Sequence, residues 1–173
     1  MAELSMQAGQ MLLARLTELS RWAVDAQYEQ QSAFWKPYDP EGYAKSLRDA
    51  GYHFSYLAEA LAANDQTLFI DYAAWVKVLF AGLNFPEHIL PTTFRFMKQA
   101  IQKSLPSDLA AVANGSIDLA LEHIASSPES PASFILPDNP FYELADRYLK
   151  AILSSDRHAA SEWILDAAAQ GVS

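Results

Sequence analysis

Four histidines and a dense group of aromatic rings are the side chains in this sequence best suited to chemistry or ligand binding. A glutamate directly precedes a histidine twice, at Glu87-His88 and at Glu122-His123. Neighbouring residues on a helix point about 100° apart, so such a pair is poorly placed to share a metal ion. We therefore predict that this chain has no metal site.

The sequence motifs of several large enzyme classes do not occur in this chain. It has no Gly-rich phosphate-binding loop, no His-Glu-x-x-His zinc motif and no Gly-x-Ser-x-Gly nucleophile elbow. We expect no catalytic residues, and we predict that the protein is not an enzyme.

Aromatic residues gather in the stretch from Phe69 to Met97, which reads FIDYAAWVKVLFAGLNFPEHILPTTFRFM. Rings at helical spacing usually fill the core of a protein. Rings combined with a few polar groups also form the pocket of a planar, apolar ligand. The sequence leaves both interpretations open for this stretch.

As a ligand pocket, the stretch has apolar surfaces in Tyr72, Trp75 and Phe94 and a polar group in His88. His88 is predicted near the start of a helix, where backbone N–H groups are free to meet a ligand's carbonyl or carboxylate. Arg95 follows His88 by about two helical turns and could pair with a carboxylate of the same ligand. We expect these five residues to bind a cofactor.

His53 is the alternative polar group, on a helix that faces this stretch. Tyr56 and Leu57 follow it at the three- and four-residue spacing that places side chains on one helical face. We therefore expect the His53 ring to point toward the apolar side, with Tyr56 beside it as a further binding residue. A hydrogen-bonded core histidine is the other interpretation.

Composition narrows the class of protein. The chain has 173 residues, a formal net charge of −9 and no cysteine. Nucleic acids and anionic membranes both attract clusters of Lys and Arg, so we expect neither as a partner. No window approaches the roughly 18 apolar residues that span a bilayer, and the first residues lack the pattern of a signal peptide. We predict a cytoplasmic protein.

Nearly every segment carries the apolar period of a helix, which predicts an all-α protein of about seven helices. We expect one domain over residues 1–173, compact and compatible with a globin-like arrangement. The first helix is predicted to run to about Gln31, and a new one to begin at Asp39-Pro40-Glu41. Gly51 is predicted to divide the next region into two helices, and residues 126–140 to form a loop.

The C-terminal stretch from Asn139 to Ser173 resembles the opening two helices of the helical cap in cobalamin-binding domains. Those caps typically carry a Gly-Asp-Arg turn between the helices, and Ser155-Asp156-Arg157 stands at that place here. The matching positions of this sequence are Tyr148, Leu149, Ile152, Leu153, Asp156, Arg157, Ala160, Ile164, Ala168, Gly171 and Ser173.

Residues 50–83 are similar to the helical region that precedes this cap in bacterial light-responsive B12 proteins. The similarity is carried by Tyr56-Leu57-x-x-Ala60-Leu61 and by Phe69-x-x-Tyr72-x-x-Trp75-x-x-x-Leu79. The resemblance implies a non-enzymatic photoreceptor or sensory module that relays a signal through helix packing. Its tetrapyrrole would be biliverdin or another bilin, favoured over haem, and held non-covalently because cysteine is absent.

Cobalamin itself would require the rest of the cap and a Rossmann-like domain, and therefore residues beyond Ser173. The expected partners are the tetrapyrrole and either a second copy of the chain or a cobalamin-binding or effector domain. The alternative is a helical module that dimerises or binds a partner without any cofactor. In that case the aromatic stretch is core.

Overall fold

The computed structural model describes residues 2–38, 40–128 and 135–171, and none of these residues lies in a β-strand. The all-α class predicted from the sequence is confirmed, with nine α-helices in the described residues where about seven were expected. They are α1 (Ala2–Ala14), α2 (Leu16–Gln30), α3 (Ser32–Trp35), α4 (Glu41–Ala62), α5 (Thr67–Gly82), α6 (Ile89–Ser104), α7 (Ser107–Ser126), α8 (Tyr142–Leu153) and α9 (Arg157–Ala169). A short 3-10 helix, Lys36–Tyr38, follows α3.

The chain forms two compact units, Met1–Ser130 and Pro131–Ser173, where the sequence predicted one domain. The first unit contains α1 to α7, and the second contains α8 and α9. The boundary falls in the Pro- and Ser-rich stretch predicted as a loop, because successive prolines cannot continue a helix. Residues 129–134 of that stretch lie outside the described residues.

Two predicted helix boundaries were wrong. The first predicted helix is divided at Arg15, whose φ of −113° and ψ of 16° are not helical. This break lets α1 pack on α4 and α7 while α2 packs on α4 and α6. The second error is the reverse: two helices were predicted on either side of Gly51, but α4 continues through this residue. One interior glycine costs a helix only about 1 kcal/mol, which packing against α1 and α2 outweighs.

The start of α4 also differs in detail from the prediction. Pro40 is its N-cap and Glu41 its first helical residue, where the sequence placed Pro40 at the first helical position. The predicted cap, Asp39, lies outside the described residues.

The core of the first unit is built from large apolar side chains on six helices. Those without measurable exposure include Leu12, Leu19, Phe54, Leu57, Phe69, Ile89, Phe94, Met97, Ile101 and Ile117. They come from α1, α2, α4, α5, α6 and α7, so each of these helices buries one face. Burying an apolar side chain of this size contributes roughly 1.5–3 kcal/mol.

Asn84 forms a left-handed turn at the end of α5, and this turn positions two aromatic rings. Its φ is 58°, a conformation that asparagine adopts more readily than most residues. The Asn84 N–H donates to the Ala81 carbonyl at 3.0 Å, and the Phe85 N–H donates to the Phe80 carbonyl at 2.9 Å. This helix-ending pattern brings the rings of Phe80 and Phe85 to 5.2 Å from each other.

The second unit is a pair of helices that pack on each other. Its turn resembles that of α5, with Ser155 at a φ of 60° and the Asp156 N–H donating to the Ala151 carbonyl at 2.9 Å. The Asp156 side chain then accepts from the Ala159 N–H at 3.0 Å and so caps the N-terminus of α9.

Gly9 sets the close approach of α1 to α4. A Cβ at Gly9 would lie 2.5 Å from the Ala58 carbonyl oxygen and 3.1 Å from the Ala62 nitrogen. Nearby, the Ser5 hydroxyl donates to the Leu61 carbonyl at 2.8 Å. Small side chains on this face of α1 therefore allow backbone-to-backbone packing.

We expect Gly9→Ala to lower the free energy of unfolding by roughly 2 kcal/mol, because the added methyl group must push the two helices apart. Urea denaturation followed by circular dichroism measures this change. The matched control is Gly115→Ala in the middle of α7, where a Cβ meets no atom within 4 Å. That variant should gain about 0.5–1 kcal/mol from helix propensity. Equal effects of the two substitutions would contradict this packing.

Candidate functional site

A cavity of about 290 Å³ opens in the first unit among α2, the segment 32–38, α4, α5 and α6. Its aromatic walls are Trp35, Tyr38, Phe80 and Phe85, and aliphatic side chains complete its apolar lining. The polar residues along it are Gln27, Lys45, Ser46, Asp49, His53 and Thr93. A concave, mostly apolar lining with a few polar groups is typical of a small-molecule site.

Trp35 is the most buried of these aromatic walls, with 7% of its surface exposed. Its ring stacks on Tyr28 at a centroid distance of 5.0 Å, and its indole N–H donates to Gln31 Oε1 at 3.4 Å. Phe85 meets Trp35 edge-on at 6.3 Å and Tyr38 at 6.3 Å. Contacts on several sides hold the Trp35 ring in place, so this wall exists before any ligand arrives.

His53 is the buried polar group of the cavity, with 4% of its surface exposed. Its Nδ1 lies 2.7 Å from the Tyr72 hydroxyl, and the Phe94 ring packs edge-on at 5.8 Å. Burial lowers the pKa of the His53 imidazole to about 4, because the charged form loses its hydration. The ring is therefore neutral at pH 7.

The hydrogen bond to Tyr72 selects one tautomer of this neutral ring. Burial raises the pKa of Tyr72 far above its ordinary value, so its phenol keeps the proton. Either tautomer leaves one donor without a partner, but a phenol is a stronger donor than an imidazole N–H, and an imidazole nitrogen is a stronger acceptor than a phenol oxygen. The favourable arrangement has the phenol donating to Nδ1 and the imidazole hydrogen on Nε2. Nε2 has no partner among the described residues and can donate to a ligand.

The other uncharged polar groups of the cavity, which are buried or half-buried, are bonded to protein. Gln27 Nε2 donates to Thr93 Oγ1 at 3.1 Å, and the Thr93 hydroxyl donates to the Ile89 carbonyl at 3.0 Å. Ser46 pairs with the Tyr28 hydroxyl at 3.2 Å. Lys45 and Asp49 are exposed and lie one turn apart on α4. The cavity thus offers a ligand one deep hydrogen-bond donor and two charged groups at its edge.

Five of the seven residues predicted to bind a cofactor lie in one aromatic cluster: His53, Tyr56, Tyr72, Trp75 and Phe94. Tyr56 stacks on Tyr72 at 3.9 Å, and Tyr72 lies 6.1 Å from Trp75. Phe94 has no exposed surface, whereas Trp75 is 58% exposed. The cluster therefore runs from the core to the surface, and His53 is its member that lines the cavity.

The other two predicted residues lie apart from His53. His88 lines an open hollow of about 820 Å³ with Lys77 and Glu87, and this hollow shares Phe80 and Phe85 with the cavity. Arg95 lines a separate hollow with Lys98 and donates to the Thr92 hydroxyl at 2.9 Å. His88 and Arg95 were predicted to face the same ligand, but they line different hollows.

The sequence reasoning overlooked Trp35, Tyr38, Phe85 and Lys45 as ligand-facing residues. The stretch Phe34-Trp35-Lys36-Pro37-Tyr38 lies between the first predicted helix and the next, and no binding role was predicted for it. The feature that could have indicated a binding role is the set of three aromatic residues around a proline, since proline fixes the backbone of a short turn that can present rings.

No protein-family model, curated protein or solved structure matches this chain. Within the described residues there is no group of three or more His, Cys, Asp or Glu side chains that could hold a metal ion. No helix in the same part of the chain is long and apolar enough to cross a membrane.

Protonation of His53 should make the stability of the protein depend on pH. In the unfolded chain this histidine binds a proton near its ordinary pKa of about 6.5, but in the folded protein only near 4. The contribution of neutral His53 to the stability of the folded protein is complete above pH 6.5 and is lost as the pH falls toward 4. We expect the free energy of unfolding to drop by about 2 kcal/mol between pH 7 and pH 5 from this group.

The measurement is urea unfolding at both pH values for the wild type and for His53→Gln, which keeps a neutral polar group. The matched control is His123→Gln, because His123 is exposed on α7. The first variant should lose this pH dependence and the second should retain it. An identical slope in all three proteins would show that His53 is not buried in its neutral form.

Proposed function

We propose that this chain is a non-enzymatic sensory module that binds a flat, largely apolar ligand in the cavity beside His53. The observation that carries the proposal is a buried histidine that lines a cavity walled by Trp35, Tyr38 and Phe85 and whose Nδ1 alone is bonded to protein among the described residues. Rings stack on such walls, and one directed donor fixes the orientation of the ligand.

A bilin-type tetrapyrrole, such as biliverdin, is the ligand that we propose first. A bilin carries a carbonyl oxygen on each terminal ring, and this oxygen can accept the hydrogen bond from His53 Nε2. Haem is less favoured, because an iron ligand must offer the Nε2 lone pair, whereas the bond from Tyr72 places the hydrogen on that nitrogen. Without cysteine, the attachment is non-covalent.

The size of the cavity limits how much of such a ligand it encloses. Its volume of about 290 Å³ is at the lower end of the range for ligand pockets, about 300–1,000 Å³. We propose that one end of the tetrapyrrole lies inside and that the remainder runs over the mouth past Tyr38. Lys45 at that mouth is a suitable partner for a propionate group.

The alternative is a helical interaction module with no cofactor, and exposed apolar residues favour it. In the second unit, Leu153 is 76% exposed and Leu165 is 68% exposed. A pair of helices with so little buried surface gains stability from dimerisation or from a partner domain. This alternative predicts a colourless protein.

Expression with a source of biliverdin, followed by visible absorption spectroscopy, tests the proposal. We expect a bound pigment in the wild type and at least about tenfold weaker binding in His53→Leu, because the directed hydrogen-bond donor is lost. His123→Leu is the matched control and should bind as the wild type does. A protein that stays colourless with both biliverdin and haem would favour the interaction module.

A further inference from the structure

An exposed aromatic face lies on α4 and α5, outside the cavity. Tyr52 is 54% exposed, Tyr56 is 51% exposed, Leu68 is 47% exposed and Trp75 is 58% exposed. Tyr52 and Tyr56 are one turn apart on α4, and Leu68 and Trp75 are two turns apart on α5. We name this set of four residues the aromatic face. Single exposed apolar residues are common, whereas a contiguous group of them marks a binding surface.

The rings of the aromatic face are held in place by the more deeply buried Tyr72. Tyr56 stacks on Tyr72 at 3.9 Å with an angle of 11° between the rings, and Trp75 lies 6.1 Å from the Tyr72 ring. Tyr72 is itself fixed by its hydrogen bond to His53 at 2.7 Å. Rigid Tyr and Trp side chains lose little conformational entropy on binding, which is why they dominate the energetics of interfaces.

The charges around the aromatic face indicate which kind of partner it fits. Asp49, Glu59 and Asp71 are exposed and lie one turn or less from Tyr52, Tyr56 and Trp75, respectively. The nearest cation on α4, Arg48, pairs with Asp49 at 3.6 Å. Lys77 on α5 is directed to the end of α7, where its Nζ donates to the Ile124 carbonyl at 2.8 Å.

We propose that the aromatic face binds a basic amphipathic helix of a partner protein. The apolar side of that helix would lie on Tyr56 and Trp75, and its Lys or Arg side chains would meet Glu59 and Asp71. A second copy of the chain would instead bring one acidic rim against another, and its net charge of −9 adds to the repulsion. An apolar face with acidic flanks is the complement of a helix that is apolar on one side and basic on the other.

Isothermal titration with a synthetic helix of leucine and lysine, LKKLLKLLKKLLKL, tests the proposal on the intact chain. We expect saturable binding that weakens with added salt, and at least about tenfold weaker binding to Trp75→Ala and to Asp71→Lys. Trp75→Phe should retain most of the affinity. The matched control is Leu119→Ala, which removes a side chain that is 40% exposed on α7.

Two results would overturn this assignment. One is equal affinity of the peptide for the wild type, Trp75→Ala and Asp71→Lys, since binding would then lie elsewhere. The other is a dimer in sedimentation that Trp75→Ala converts to a monomer, because a second copy would then occupy the face. Circular dichroism of each variant checks that the helices are retained. These outcomes do not depend on whether the cavity binds a pigment.

Discussion

The hydrogen bond between His53 and Tyr72 is the interaction on which the proposed site depends. A neutral imidazole and a neutral phenol, both largely removed from water, satisfy each other at 2.7 Å. Without it, each would be a polar group buried at a cost of about 1–3 kcal/mol. The bond engages Nδ1 and leaves Nε2 of this cavity-lining residue without a partner among the described residues. The same hydrogen bond therefore satisfies two buried polar groups and leaves a donor for the proposed ligand.

Tyr72 connects this contact to the surface of the protein. Its hydroxyl is bonded to His53, which lines the cavity, and its ring supports Tyr56 and lies beside Trp75 on the aromatic face. A ligand that moved His53 would therefore change the support of the aromatic face directly, with no intervening element. In the proposed sensory module, this contact would couple the ligand site to the partner site. The aromatic rings that first suggested a pocket divide between core, cavity and surface.

Sequence patterns predicted those features of the structure that depend on interactions between residues close in the chain. The helical class follows from the apolar period of nearly every segment, and the nine α-helices of the described residues confirm it. The burial of His53 was expected from Tyr56 and Leu57 at helical spacing, and the structure confirms it. The break at Arg15 could not be predicted in this way, because it depends on which helices α1 and α2 pack against.

The residues of the candidate site could not be predicted fully for the same reason, because their positions also depend on which helices pack together. Trp35 and Tyr38 belong to a segment of α3 and the 3-10 helix, and only the folded chain places them opposite Phe85. His88 and Arg95 are close in sequence, but they line different hollows. Residues on one helix can be assigned to a face from spacing, whereas a cavity joins several helices whose relative placement the pattern does not encode.

The measurement that tests this account most directly is the nitrogen-15 NMR spectrum of the imidazole rings at pH 7. Tautomers differ strongly in the shifts of their two ring nitrogens, so the state of His53 can be assigned without any ligand. The account predicts a neutral ring with its hydrogen on Nε2 and with Nδ1 accepting from Tyr72. In Tyr72→Phe this preference should weaken. A hydrogen on Nδ1, or a charged imidazolium at pH 7, would contradict the account.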